Sequence, residues 1–401
     1  MRFGRVLLYT FCGTFYKDFK VPKLRFPEFK DEWKNGHFDN LFSFLSTNSL
    51  SWDDLSDNKE GIKNVHYGII HASEENIISS VSLPTIKKDF IPKKLNYFKD
   101  GDIFLADTSE DRKDCGKPLE IDNENNFKIV GGLHTIHVTD KSNLCIPHFK
   151  AYSLQTPRYH KFTYCFAEGI KVFSLKPSLF KYFTFYYPQS KIEQSKIVKL
   201  IDNLDHKIEI LMMKLDTLKK YKEGLVNQVI LPLFKNETLS LNDACKITTG
   251  KLDANAMAKD GKYKFFTCSR GDFFINKYAF DCEALLISGN GEVGLSKYYK
   301  GKFNAYQRTY VLYDFKIDAT FIKLCFDAQI NSVIKEETNK GAMPYIRLSS
   351  FSKIKIPQIS NSKVNMISCV FKTIDLKIKD EENALCNIKK IKQYFLENMF
   401  I

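Results

Sequence analysis

Arginine is scarce. Only eight of the 401 residues are arginine, at 2, 5, 25, 112, 158, 270, 308 and 347, although Lys and Arg total 60 against 47 Asp and Glu and the formal charge is +13. The positive charge is almost all lysine, which suits general attraction to a polyanion such as nucleic acid and makes each arginine conspicuous. The ten cysteines include no CxxC pair and no Cys/His spacing suited to zinc. That excludes a zinc ribbon or a stapled secreted fold and indicates free thiols in a reducing cytoplasm. No apolar run approaches the ~18 residues of a membrane span. The opening MRFGRVLLYTFCGTF mimics a signal peptide but lacks a small-x-small cleavage site, so residues 1–20 read as a tail. There is no GxxxxGK[ST] phosphate loop and no Asn/Asp-Pro-Pro-aromatic methyltransferase motif. The chain therefore reads as lacking catalysis of its own, and no metal site is expected.

Apolar surface is plentiful: hydrophobic residues make up 44%, with 34 Phe and 20 Tyr. A chain of this length exceeds one core, so at least two globular units are expected. Between Pro188 and Pro232, Ile197, Ile201, Leu204, Ile208, Leu211, Leu215, Leu218, Leu225 and Val229 follow one another in alternating steps of four and three. This is an a/d stripe, with Lys222 in one slot. Adding 170 to each position gives Ile367, Phe371, Ile374, Ile378, Glu381, Leu385, Ile388, Phe395 and Met399, and Lys222 maps onto Lys392. The stripe is duplicated. A helix of ~40 residues at ~1.5 Å each carries the chain ~60 Å, and a second copy buries its seam by returning antiparallel along the first. The expected fold is α+β: two mixed α/β domains separated by two long antiparallel coiled-coil helices, with a pseudo-two-fold internal repeat. The expected boundaries are a tail over 1–20, a first domain over 21–187, a spacer helix over 188–231, a second domain over 232–358 and a second spacer helix over 359–401. Such symmetry matches a split target on duplex DNA, with the helices setting the distance between half-sites.

Outside the helices the copies diverge. GDIFLADTSED (101–111) and CEALLISGNGEV (282–293) each read as a strand entering a polar loop, and HTIHV (134–138) and RTYVL (308–312) as strands that follow. GNGEVG (289–294) fits GxGxxG, but the aromatic LSKYYKGKFNAYQRTYVL after it is strand-like, so a turn between strands is expected in place of a cofactor loop. His134 and His137 fall on opposite faces of a strand and do not make a metal pair. Asp107, Glu110, Asp111 and Asp114 lack a nuclease lysine pattern and read as a solvated loop. Guanine is read in the major groove by a forked cation, which makes Arg112 and Arg158 in the first domain, and Arg270, Arg308 and Arg347 in the second, the candidates for base contact. Gln307 joins them, with Lys297, Tyr299, Lys300 and Lys302 as a phosphate-holding surface. The seam candidates are Ile197, Ile201, Leu204, Ile208, Leu211, Leu215 and Leu218 against Ile367, Phe371, Ile374, Ile378, Leu385 and Ile388.

At these residues the chain resembles the specificity subunit of type I restriction-modification enzymes. The likeness runs through VPKLRFPEFKDEW (21–33), the GDIFLADTSED and GGLHTIHV pair, P-x4-EQ-x-KI from Pro188 to Ile197, GKLDANA (250–256), GNGEVG with GKFNAYQRTYVL, and MPYIRLSS (343–350). The resemblance implies a DNA-binding subunit with two target recognition domains reading a bipartite, asymmetric sequence in double-stranded DNA. It implies as partners two modification subunits carrying S-adenosylmethionine chemistry and restriction subunits supplying ATP- and Mg-dependent translocation and cleavage, with no cofactor and no membrane contact on this chain. Two departures stand out: the second helix opens at QISNSKVNMI (358–367), without the EQ-x-KI signature, and the N-terminal tail over 1–20 is unusual. The rival readings are an orphan or inactive subunit, a methyltransferase or nuclease using GNGEVG or the acidic loop, and a coiled-coil scaffold with no role on DNA.

Overall fold

The computed structural model describes residues 20–58, 60–337 and 345–401, so residues 1–19 of the expected tail, and Met343 and Pro344 of the MPYIRLSS motif, lie outside it. The chain divides into one unit of residues 1–209 with 386–401 and another of 210–385. Each unit holds one mixed α/β domain and a stretch of both long helices. No helix among the described residues is long and apolar enough to cross a membrane.

In the first unit a five-stranded sheet runs in the order Phe42–Leu45, Thr135–Asp140, Ile103–Ala106, Pro118–Asp122, Ile77–Ser79, with a four-stranded sheet built around Lys63–Val65. Strands Ile103–Ala106 and Thr135–Asp140 are antiparallel, with Ala106 opposite Thr135. Ile103, Leu105, Ile136 and Val138 alternate toward one core with Phe149, Tyr152 and Tyr159 from the helices Phe149–Ser153 and Pro157–Phe166. Phe104, Ala106 and Leu119 face the other core with Val65 and Ile70. A strand buried on both faces needs apolar residues at successive positions, which is why IFLA shows no alternation.

The second unit centres on a six-stranded sheet in the order Lys246–Thr249, Thr309–Tyr313, Phe280–Ser288, Ser296–Ala305, Tyr263–Phe266, Phe273–Ile275. Leu285, Ile287 and Leu312 pack under helix Ala319–Glu337 against Phe321, Ile322, Cys325 and Phe326. Ala284, Leu286, Phe303, Ala305 and Val311 fill the opposite face. GNGEVG links the antiparallel strands Phe280–Ser288 and Ser296–Ala305, so it is a strand-to-strand turn. Gly291 and Gly294 take φ of 63° and 80°, and a Cβ on Gly294 would stand 2.9 Å from Ile330. Both glycines answer to the turn.

The long helices span Lys191–Leu225 and Asn361–Asn398. The first closes with a wider turn over Val226–Ile230 and a tight one over Leu231–Lys235, where Pro232 cannot donate to the ladder. Lys222 bonds Asp375, Lys219 bonds Glu382 and Lys214 bonds Glu381 in the second unit, and Lys392 bonds Asp205 in the first. Rising numbers on one helix meet falling numbers on the other, so the pairing is antiparallel.

The stripe divides into two kinds of position. Ile197 and Ile201 belong to the core of the first domain, joined there by Leu396 and Met399. Their repeats Ile367 and Phe371 belong to the core of the second domain, joined by Leu225 and Val229. These outer positions are therefore domain anchors, a correction to their reading as pure seam. Ile208, Leu215, Ile374 and Ile388 are buried between them, while Leu204, Leu211, Leu218, Ile378 and Leu385 are only half-covered. Fully burying an Ile or Leu side chain stabilises by about 1.5–3 kcal/mol, so the anchored ends and these four buried positions hold the helices while the half-covered ones add less.

The P-x4-EQ signature is explained by burial. Glu193 accepts from Arg25 Nε at 2.7 Å, Arg25 Nη2 at 2.9 Å and Trp33 Nε1 at 3.0 Å. Gln194 accepts from the Ile146 amide at 2.9 Å and donates to the carbonyls of Leu144 and Pro188, each at 2.9 Å. The motif at 21–33 thus exists to meet the helix start. Adding 170 places Lys363, exposed, and Val364, buried in the second core, at these two positions. The second domain grips its helix through apolar contact there, which accounts for the missing signature.

Candidate nucleic-acid interface

At one end of the second unit's sheet four loops converge. The strand Phe280–Ser288 ends beside Thr309, and the Gly289 amide donates to the Arg308 carbonyl at 2.9 Å. The Ile346 amide donates to the Gly289 carbonyl at 3.0 Å, and the Glu292 amide to the Cys268 carbonyl at 3.1 Å. Cys268 Sγ lies 3.2 Å from the Arg308 carbonyl. The segments 267–272, 289–294, 306–308 and 345–347 are thereby tied into one rim, which brings Arg270, Gln307, Arg308 and Arg347 together.

Arg308 and Gln307 occupy the tight turn before Thr309–Tyr313 and are exposed. Among the described residues the Arg308 guanidinium has no hydrogen-bond or ion-pair partner within the chain. Arg270 is exposed and held by Glu292, with Nε 2.6 Å from Oε2. Arg347 lies over the Tyr345 ring and donates from Nε to its hydroxyl at 2.9 Å. Asn290 Oδ1 is buried in the same rim without a partner among the described residues. A forked cation next to a buried acceptor-lined turn can offer paired donors to a planar ligand edge.

The strand Ser296–Ala305 presents its residues unequally. Lys300 and Lys302 are exposed, and Lys302 lies 4.9 Å from the Tyr278 ring centre. Lys297 is turned inward, donates to the Ser269 carbonyl at 2.7 Å and has its pKa lowered by burial. Tyr299 packs on Phe266 and Phe303. Of the proposed phosphate surface, Lys300 and Lys302 face outward, whereas Tyr299 serves the core and Lys297 fixes the 267–272 loop.

The first unit treats its arginines differently. Arg112 donates to the Ala167 carbonyl at 3.1 Å, lies over the Tyr164 and Phe173 rings, and has a buried Nε. Arg158 lies over Tyr186 and Phe183. Both are engaged in packing. At the turn corresponding to Arg308 stands His134, which sequence reasoning weighed only as a metal ligand. His134 is just ahead of its strand, with φ of 54°. His137 is buried on Asp102.

Residues 235–395 match the family model of the type I restriction modification DNA specificity domain. The matched part of the chain is similar to that DNA specificity domain. It contains the whole rim of Arg270, Arg308 and Arg347. Over 159 residues, 40% of this chain, the sequence is 37% identical to the EcoDI specificity subunit of a type I restriction enzyme from Escherichia coli, and the match spans 35% of that protein. The fold extends further than the specificity domain alone. The S subunit of a type I restriction-modification system from M. genitalium superposes with a TM-score of 0.65 at 16% identity, covering 95% of this chain and 99% of that one. A chain solved in work on complex assembly and conformational transition of the type I R-M system aligns with a TM-score of 0.50 at 12% identity, over 91% and 96% of the two chains.

Proposed function

We propose that this chain is the sequence-reading specificity subunit of a type I restriction-modification complex, which binds a bipartite, asymmetric target in duplex DNA. One observation carries the reading. In each unit a strand ends in the same backbone hydrogen bond to a tight turn, Asp107 to His134 at 3.1 Å and Gly289 to Arg308 at 2.9 Å. The second of these turns lies inside the stretch that matches the DNA specificity domain model. Two turns built alike and carrying different side chains suit two half-sites of different sequence. Lysine-rich surfaces such as Lys300 and Lys302 supply attraction to phosphate, which positions without specifying.

In this reading the partners are two modification subunits and the restriction subunits, in the cytoplasm. S-adenosylmethionine, ATP and Mg belong to those partners, and this chain catalyses no step. Among the described residues no group of three or more His, Cys, Asp or Glu side chains could hold a metal.

The test is reconstitution of the full chain with its modification subunits and S-adenosylmethionine, followed by mapping of methylated positions in genomic DNA. A split motif that disappears without this chain supports the reading. Methyl transfer by the chain alone, or methylation without a motif, overturns it.

A further inference from the structure

The two domains repeat one turn and change its chemistry. In the first, Ala106 pairs with Thr135 and the Asp107 amide donates to His134; in the second, Ser288 pairs with Thr309 and the Gly289 amide donates to Arg308. His134 therefore stands where Arg308 stands. Its positive φ turns the side chain out of the strand ladder, and it remains 47% exposed. Nδ1 lies 3.2 Å from Asp107 Oδ1. A carboxylate only accepts, so Nδ1 is the donor of this pair and Asp107 orients the ring.

The surroundings of His134 are built for a flat ligand. Tyr67 meets the imidazole edge-on at 5.4 Å, and His66 is layered between Tyr67 at 4.6 Å and Trp52 at 4.5 Å. Trp52 is half-exposed. Burial, and secondarily the neighbouring His134, lowers the His66 pKa, and its Nδ1 accepts from the Gly68 amide at 3.1 Å. His71 Nε2 is 2.8 Å from the Thr108 carbonyl, which fixes the strand end beside Asp107. The arginines of this domain are committed elsewhere: Arg112 to the Ala167 carbonyl and the Tyr164 ring, Arg158 to the Tyr186 ring.

We infer that the first domain reads its half-site with His134, oriented by Asp107 and framed by Tyr67 and Trp52, and that Arg112 and Arg158 touch no base. This rests on the DNA-reading function proposed above. In a neutral ring whose Nδ1 donates to Asp107, Nε2 is an acceptor and complements the exocyclic amino group of cytosine or adenine in the major groove, whereas the Arg308 fork complements guanine. Trp52 and Tyr67 offer apolar contact to a neighbouring thymine methyl or sugar. The half-sites are thus read by unlike side chains, one an imidazole and the other a guanidinium.

The test uses the full chain assembled with its modification subunits, with motif mapping for the wild type and for His134→Asn, Trp52→Ala, Arg112→Lys and Arg308→Ala, each checked by thermal melting. Asparagine tolerates the left-handed backbone at 134 and keeps a polar edge. His134→Asn is expected to lose or switch base preference by about tenfold or more at one half-site, Trp52→Ala to relax that same half-site, and Arg308→Ala to relax the other. Arg112→Lys is expected to leave both intact. If Arg308→Ala relaxes one half-site while folded His134→Asn and Trp52→Ala leave the other unchanged, the inference falls and the DNA-reading function stands. Loss of preference with Arg112→Lys at an unchanged melting temperature also overturns it. If the wild-type complex shows no split motif, the function itself falls.

Discussion

Lys392 on the second long helix reaches Asp205 on the first at 2.5 Å. Subtracting 170 from 392 and adding 170 to 205 gives Lys222 and Asp375, which bond at the same distance. The lysines that interrupt both apolar ladders are therefore answered by the duplicated aspartates. Asp205 also accepts from the Tyr152 hydroxyl at 2.9 Å, and Lys392 lies over the Tyr152 ring. A half-buried pair set in an apolar stripe penalises any slip that leaves lysine against leucine, so it fixes register.

Reversing one member should show this. Lys392→Glu sets a second anion beside Asp205, and the melting temperature of the full chain is expected to fall by several degrees. Asp205→Lys combined with Lys392→Asp restores most of it. A double-mutant cycle on the pair is expected to give a coupling of about 1 kcal/mol. Additive losses, with no recovery in the swapped variant, would show that the pair is incidental to register.

The clamp at Glu193 is the more costly to break. Its carboxylate is almost wholly buried and serves both Arg25 and Trp33. Glu193→Ala leaves a largely buried guanidinium without its anion, and urea unfolding of the first unit is expected to lose about 3–5 kcal/mol. Lys363→Ala, at the corresponding exposed place on the second helix, is expected to change stability by less than about 0.5 kcal/mol. Equal effects from the two would refute the account of the asymmetric signature.

These particulars mark what the sequence could disclose. The ladder was legible because a period of 3.5 residues is local information, and the 170-residue repeat shows up by subtraction. The division of that ladder into anchors and seam was not, because Ile197 and Leu396 meet only after the chain has travelled through a second domain. The work of Glu193 was hidden for the same reason, since Arg25 lies 168 positions away. In the second domain arginine scarcity singled out Arg270, Arg308 and Arg347, which the fold brings to one rim. In the first it singled out Arg112 and Arg158, which lie over aromatic rings; a guanidinium is as useful in such packing as at a groove, and nothing local distinguishes the two uses. His134 was passed over because its turn adds one residue ahead of the strand, and only the backbone conformation shows that its side chain leaves the ladder.

Acidity should act on the first unit through Glu120. This carboxyl is buried, accepts from the His148 amide at 2.8 Å with Oε1, and has no partner for Oε2 among the described residues. Burial pushes its pKa up to about 7, against the pull of His148 and Lys150 and with a further push from Asp140. Because the folded value lies above the ordinary carboxyl value, its contribution is most favourable below about pH 4.5 and is lost as pH rises to about 7. Glu120→Gln removes that dependence. The variant is expected to gain on the wild type across this interval, by about 3 kcal/mol at pH 8. Parallel stability curves for the two proteins would rule the account out.

Salt separates the outward lysines from the readers. Lys300 and Lys302 face solvent on the strand that leads into the Arg308 turn. Each phosphate contact releases condensed counterions, so the slope of log affinity against log salt concentration should shrink by about 0.9 per contact removed. Lys300→Ala with Lys302→Ala is expected to lower the slope by about 2 in the assembled complex while the methylated motif stays the same. Arg308→Ala is expected to do the reverse, altering the motif with a smaller effect on slope. The two readouts together decide whether the strand face holds the backbone while the turn reads the bases. An altered motif in the double lysine variant, at an unchanged slope, would reassign the strand face to base reading.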